Sequence, residues 1–201
     1  VELAVELADA DAVDASVAET VRALGRVDVG CNLSGGTGPE LGTGALLDVS
    51  PQSFRASLDA NLTATWLGAR ACARQMIEQG DGGALVNLAS SAAYAGAADG
   101  GAFSAARAGV VRLTEVLAIE LAGHRIRANA VCPLGVSPHQ GAGNPGLTRG
   151  TGDSAKWVER TIPLGRYQEP DETAAVILFL ASEAASFVTG QAIVVAGGAH
   201  V

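Results

Sequence analysis

Apolar positions along the chain switch repeatedly between the two-residue period of strands and the three-to-four-residue period of helices. Residues 1–7, VELAVEL, alternate apolar and charged side chains, which predicts a half-buried edge strand. Residues 11–24 read as an amphipathic helix closed by Gly25. A short apolar run over 27–33 predicts a strand. Ser50 then stands as a helix N-cap with Pro51 at the first helical position, opening a helix that runs to about Gln79. Residues 84–89 read as a strand, 101–122 as a helix and 126–131 as a strand. The Gly/Pro-rich stretch 133–152 predicts a long surface loop. A helix over 171–181 with Pro170 before it, and a last strand over 192–195, complete the pattern.

Strands that alternate with helices predict an α/β fold with a parallel sheet covered on both faces. The whole chain, 1–201, reads as one domain without internal repeat or linker, and 48% hydrophobic residues suffice for a sizeable core. The formal net charge of -8 argues against nucleic-acid or anionic-membrane partners, which require a basic face. No window supplies the roughly 18 apolar residues of a membrane span, and the first residues carry no basic leader, so a cytoplasmic protein is expected. Cys31, Cys72 and Cys132 lack C-x-x-C spacing. Two of them fall in apparent core strands, and buried, reduced thiols are expected. No metal-ligand spacing is present.

The segment 90–107, SSAAYAGAADGGAFSAAR, holds the informative chemistry. Its Ser90, Phe103 and Arg107 keep the spacing of a serine followed by Y-x-x-x-K, and by this the chain resembles the short-chain dehydrogenase/reductase family. The resemblance extends along the whole sequence. ELAD (6–9) is similar to the family's D-V-T-D, and GRVDVGCNLSGG (25–36) to G-x-[IL]-D-x-L-V-N-N-A-G. LDANLTATWLGARA (58–71) carries the helix asparagine at Asn61, and GGALVNLAS (82–90) is similar to G-x-I-V-N-I-S-S. HRIRANAVCP (124–133), PLGRYQEPDETAAVILFLAS (163–182) and VTGQAIVVAGG (188–198) match the closing segments.

The resemblance implies a doubly wound Rossmann-like sheet of strand order 3-2-1-4-5-6-7 that binds NAD(P) at its switch point. This sequence starts at the third strand; the first two strands and the glycine-rich turn that meets the pyrophosphate have no counterpart in it. Val at position 1 leads us to expect that a front end is missing. Without those strands residues 27–33 would form an unpaired edge. The resemblance also assigns a tetrad: Ser90 would bind the substrate oxygen, Asn61 would support a proton relay, and positions 103 and 107 would hold tyrosine and lysine. Here they hold Phe103 and Arg107. Phenylalanine has no ionisable proton, so acid–base catalysis through it is impossible, a loss of roughly 10²–10⁴-fold. A guanidinium is not interchangeable with an ammonium.

Cofactor-binding positions carried over are Glu6, Asn32, Gly35 and Pro133, with departures around them. Leu33 replaces the second asparagine of N-N-A-G, Leu134 the glycine after Pro133, and Pro138 a threonine. Tyr94 could offer a phenol but reads as lining the substrate loop. His139 reads as a solvated loop residue, His124 as a helix-end cation and His200 as exposed, while Trp66 and Trp157 read as core or interface aromatics. Three functions follow. In the first, the chain is a non-catalytic subunit paired with an active family member through helices 50–79 and 101–122 and the C-terminal segment, acting on a hydroxy/keto or acyl-thioester substrate. In the second, it is an ordinary NAD(P)-dependent oxidoreductase lacking its front end here. In the third, it is a cofactor-free cyclase or dehydratase using Ser90 or His139.

Overall fold

The computed structural model describes residues 1–96, 98–135 and 152–199. Four strands, β1 (Val29–Asn32), β2 (Gly83–Leu88), β3 (Ile126–Pro133) and β4 (Ala192–Val195), form one sheet in sequence order, every neighbouring pair parallel. Each crossover carries helix: α1 (Ala10–Leu24) precedes β1; α2 (Pro51–Leu58) and α3 (Ala64–Gln79) join β1 to β2; α4 (Gly101–Leu121) joins β2 to β3; α5 (Gly152–Thr161) and α6 (Pro170–Ala181) lead to β4.

Local chemistry explains the boundaries. The Asp9 carboxylate accepts the Asp11 and Ala12 amides to open α1, and Gly25, at φ 90°, closes it by donating its N–H to Val21. Ser50 caps α2 by accepting the Ser53 amide, with Pro51 in the first turn. Between α2 and α3 the helix continues through a π turn, Asp59–Thr63. The extra residue of such a turn rotates one side chain relative to the regular helix, and Asn61 lies within it.

Period two along β2 separates the layers. Leu85 joins a core with Met76, Ala73, Leu117, Leu121 and Ala128, which is supplied by α3 and α4 and backed by Val17 and Val21 of α1. Val86 faces the opposite way and packs with Val131, Leu180 and Ala185, beneath α6. Met76, Leu85 and Val86 are completely buried.

Three expectations need correction. Residues 1–7 form no strand: β1 pairs with β2 alone, and Val5 packs instead against Val13, Leu67 and Ala71. Alternation defines a face but supplies no ladder partner. The sheet is also not covered on both faces throughout. Gly30 packs under Cys72 and Leu85, whereas Val29 (42% exposed) and Cys31 stand bare on the other side of this edge strand. Cys31 is therefore not a buried core thiol; Cys132 is. Of the two readings for Trp66, core or interface, its 44% exposure leaves the second, with Arg70 over its ring. Most of the stretch 133–152, with Pro138 and His139, lies outside the described residues, as does His200; α5 follows it.

Candidate functional site

The carboxyl ends of β1, β2 and β3 converge on one region, where open α/β sheets place their ligands. Beyond β1 comes the turn Ser34–Gly35–Gly36; beyond β2, Ser90; at the end of β3, Cys132 and Pro133. The helix α4 lays Phe103 and Arg107 one turn apart, with the Arg107 guanidinium carbon 5.1 Å from the centre of the Phe103 ring. Asn61 reaches in from the π turn.

Asn61 is fully buried, and its amide is committed to backbone. Oδ1 accepts the Gly36 N–H at 3.0 Å, while Nδ2 donates to the Gly36 and Ser57 carbonyls at 3.0 Å each. Arg107, 4% exposed, donates through Nη1 to the Leu88 carbonyl at 2.5 Å and through Nη2 to the Ser34 carbonyl at 3.3 Å. No carboxylate pairs with it among the described residues, and its buried Nε has no partner. Desolvation pulls the guanidinium down to about 10, so it stays cationic at neutral pH. Between these two side chains only glycine fits: a Cβ on Gly35, at φ 128°, would stand 2.2 Å from Arg107 Nη2 and 2.4 Å from Asn61 Oδ1.

Ser90 is half-buried, and its hydroxyl accepts the Ala92 amide at 3.2 Å at the start of a short 3₁₀ turn, Ser91–Ala93. Burial pushes the neighbouring Cys132 thiol up to about 11, against the opposing pull of the Ser90 amide and Arg107. A fully buried thiol held that high is not a nucleophile. Tyr94 is 54% exposed and its phenol is raised, chiefly by desolvation, with further pushes from Cys132 and Glu115. It remains a protonated hydroxyl at neutral pH.

The four expected cofactor residues do not meet. Glu6 and Gly35 share a cleft of about 320 Å³ with Val5, Leu41 and Asp59. Asn32 is turned into the sheet, donating to Asn87 Oδ1 at 2.8 Å. Pro133, at the end of β3 two strands from β1, pairs with Val195 and does not line that cleft. After it the left-handed backbone falls not on Leu134 but on Gly135, at φ 61°. The cleft's apolar walls and carboxylates suit a nucleoside with its hydroxyls. Neither a helix N-terminus nor a Lys or Arg lines it, so this cleft offers no cradle for a pyrophosphate. Among the described residues there is also no cluster able to hold a metal ion, and no helix long and apolar enough to cross a membrane.

Two features escaped sequence reasoning. One is a buried polar chain in which Asn87 Nδ2 donates to Thr114 Oγ1 (3.0 Å) and Thr114 donates to the Val110 carbonyl (2.7 Å). The other is the Arg107 bridge. Gly68 was a readable signal for the first: an isolated helical glycine marks close approach, and a Cβ there would stand 2.1 Å from Asn32 Oδ1.

Comparison with known proteins agrees with this architecture. The family model described as Enoyl-(Acyl carrier protein) reductase matches residues 1–200. A 2,5-dichloro-2,5-cyclohexadiene-1,4-diol dehydrogenase from Sphingobium indicum is 36% identical over 196 residues, 96% of this chain and 75% of its own length. An L-rhamnose 1-dehydrogenase (NAD(P)(+)) from Azotobacter vinelandii is 34% identical over 198 residues, covering 98% and 73%. The crystal structure of a short-chain type dehydrogenase/reductase from Mycobacterium marinum superposes with a TM-score of 0.88 at 30% identity, covering all of this chain and 75% of that one.

Proposed function

Since this chain belongs to the short-chain dehydrogenase/reductase family, we propose that it takes part in NAD(P)-linked interconversion of an alcohol and a carbonyl at the carboxyl ends of β1–β3. The relatives support the oxidoreductase class: those named above are dehydrogenases or reductases. The observation that carries the reading for this chain is that Arg107 joins the Ser34 carbonyl beyond β1 to the Leu88 carbonyl at the end of β2, two residues before Ser90, so that the family's substrate-binding serine follows directly from the joined strand ends. Bound, the cofactor supplies or accepts the hydride; the proton is the chain's own task. Phe103 cannot carry it. The hydroxyls at hand are those of Ser90, relaying through water, and of Tyr94, which stays protonated and able to donate.

A second reading is favoured by the Phe103–Arg107 pair itself: an inert subunit that lends shape to an active family member. Exposed apolar side chains on the outer faces of the long helices support it, namely Trp66 (44%), Val116 (42%) and Ile119 (78%). The cofactor-free alternative depends on Ser90 alone among the described residues, because His139 lies outside them.

One experiment separates these. The protein isolated from its own host is assayed for NAD(P)H oxidation against a panel of ketones and acyl thioesters, alongside Ser90→Ala. Turnover by the homo-oligomer that falls at least tenfold in Ser90→Ala supports the oxidoreductase. No turnover, with co-purification of a second family member that keeps tyrosine and lysine, refutes it in favour of the inert subunit. Turnover without nicotinamide establishes the cofactor-free enzyme.

A further inference from the structure

We infer that Arg107 is a positioning residue: it ties the Ser34–Gly36 turn to the end of β2, and it shapes the Glu6–Gly35–Asp59 cleft only through that turn. The two carbonyls it holds belong to different segments, Leu88 at the end of β2 and Ser34 beyond β1, and no ladder bond joins those positions, since the β1–β2 register ends at Asn32↔Asn87. A planar fork of donors holds both in a fixed geometry; an ammonium is a compact point donor on a flexible stem and does not fix their relative positions. Asn61 grips the same turn from the opposite side at Gly36, through both N–H and carbonyl.

Gly35 sits between the two grips, and its missing side chain is what lets guanidinium and amide approach the turn together. Phe103 completes the arrangement. Its ring lies 5.1 Å under the guanidinium carbon, where an apolar face shields a cation that no described carboxylate neutralises. The two substitutions at the Y-x-x-x-K positions are thus physically coupled: the ring that cannot exchange a proton steadies the fork that bridges the strands. Ser34, Gly35 and Gly36 line the cleft and Arg107 does not, so it acts on an occupant at second hand.

The test is hydrogen exchange of the Gly36 amide and of the peptide spanning residues 33–38, in the wild-type protein, Arg107→Lys and Arg107→Ala. Loss of one charge-assisted anchor should speed exchange there roughly ten- to hundredfold, while amides of α1 keep wild-type rates. Methylguanidinium added at millimolar concentration to Arg107→Ala should restore slow exchange at Gly36, and the same concentration of urea should not. If Arg107→Ala fails to fold, Arg107→Met keeps the stem volume and carries the exchange measurement. Unchanged exchange at 33–38 in Arg107→Lys would overturn the inference. A second arm rests on the cofactor reading above: NAD⁺ should bind Arg107→Lys at least threefold more weakly, and tighter binding would show a direct contact and overturn the tether. Absence of NAD⁺ binding in every variant, with the exchange result intact, would sink the cofactor reading alone.

Discussion

Replacing Thr114 by valine isolates the worth of the polar chain that links the centre of the sheet to α4. Thr114 is 1% exposed and Asn87 is fully buried, so water cannot take over a lost bond. Valine keeps the volume and the branched Cβ and removes only Oγ1. The Val110 carbonyl keeps its helical acceptor role, but the Asn87 amide loses its acceptor at 3.0 Å and becomes an orphaned buried donor. Such a group costs about 1–3 kcal/mol, and we take about 2 kcal/mol for this site. Thr114→Ser makes the opposite change, keeping the hydroxyl and losing a methyl worth about 0.8 kcal/mol. For a chain of this size 1 kcal/mol corresponds to roughly 2–4 °C in Tm, so valine should lower Tm by about 4–8 °C and serine by less than half of that. The assay is urea and thermal denaturation followed by circular dichroism, with Asn87→Leu and the double variant closing a cycle. Asn87→Leu strips Asn32 Nδ2 of its acceptor in the single and the double variant alike, so that cost cancels; removing both partners abolishes the Asn87 orphan, and the double variant should be more stable than the sum of the singles by about 1 kcal/mol or more. Valine no more costly than serine, together with additive changes, would refute the claim that this chain is a satisfied buried network.

Other predictions follow from charge and exposure. The Glu172 carboxyl is held down to about 2, first by its hydrogen bonds from Arg166 (2.7 Å to each oxygen) and then by the Glu169 amide. A depressed carboxylate contributes stability that is complete above its unfolded pKa and lost as pH falls toward 2, so the start of α6 should loosen only in that window. An NMR titration of the Glu172 side chain should show this midpoint in the wild-type protein and a higher one in Arg166→Gln, still below the ordinary carboxylate value because the Glu169 amide keeps donating to it; a wild-type midpoint above 4 would contradict it. Among the thiols, iodoacetamide should modify exposed Cys31 first, read by peptide mass spectrometry, and Cys132 only under unfolding conditions, since it is fully buried and raised to about 11. Equal labelling rates would show that β1 is covered or that β3 opens.

Residue identity and local period were enough for much of this protein. Ser50 and Pro51 announce the start of α2, Gly25 the end of α1, and the apolar run 84–89 the central strand, because caps, breakers and periodicity act through neighbours within a turn or two. The positions of Ser90, Asn61, Phe103 and Arg107 came from the resemblance to the family, which the motifs and their spacing along the chain carry. What those side chains touch was not. That Arg107 would spend its fork on Leu88 and Ser34, and that Asn32 would turn from a cofactor position into a chain with Asn87 and Thr114, depends on which segments the sheet brings side by side. So does the failure of residues 1–7 to become a strand, which leaves Cys31 exposed on the unpaired edge expected of residues 27–33. A strand exists only through its partner and a buried charge only through its acceptors. Both are contacts between residues far apart in sequence, settled by packing rather than by local pattern.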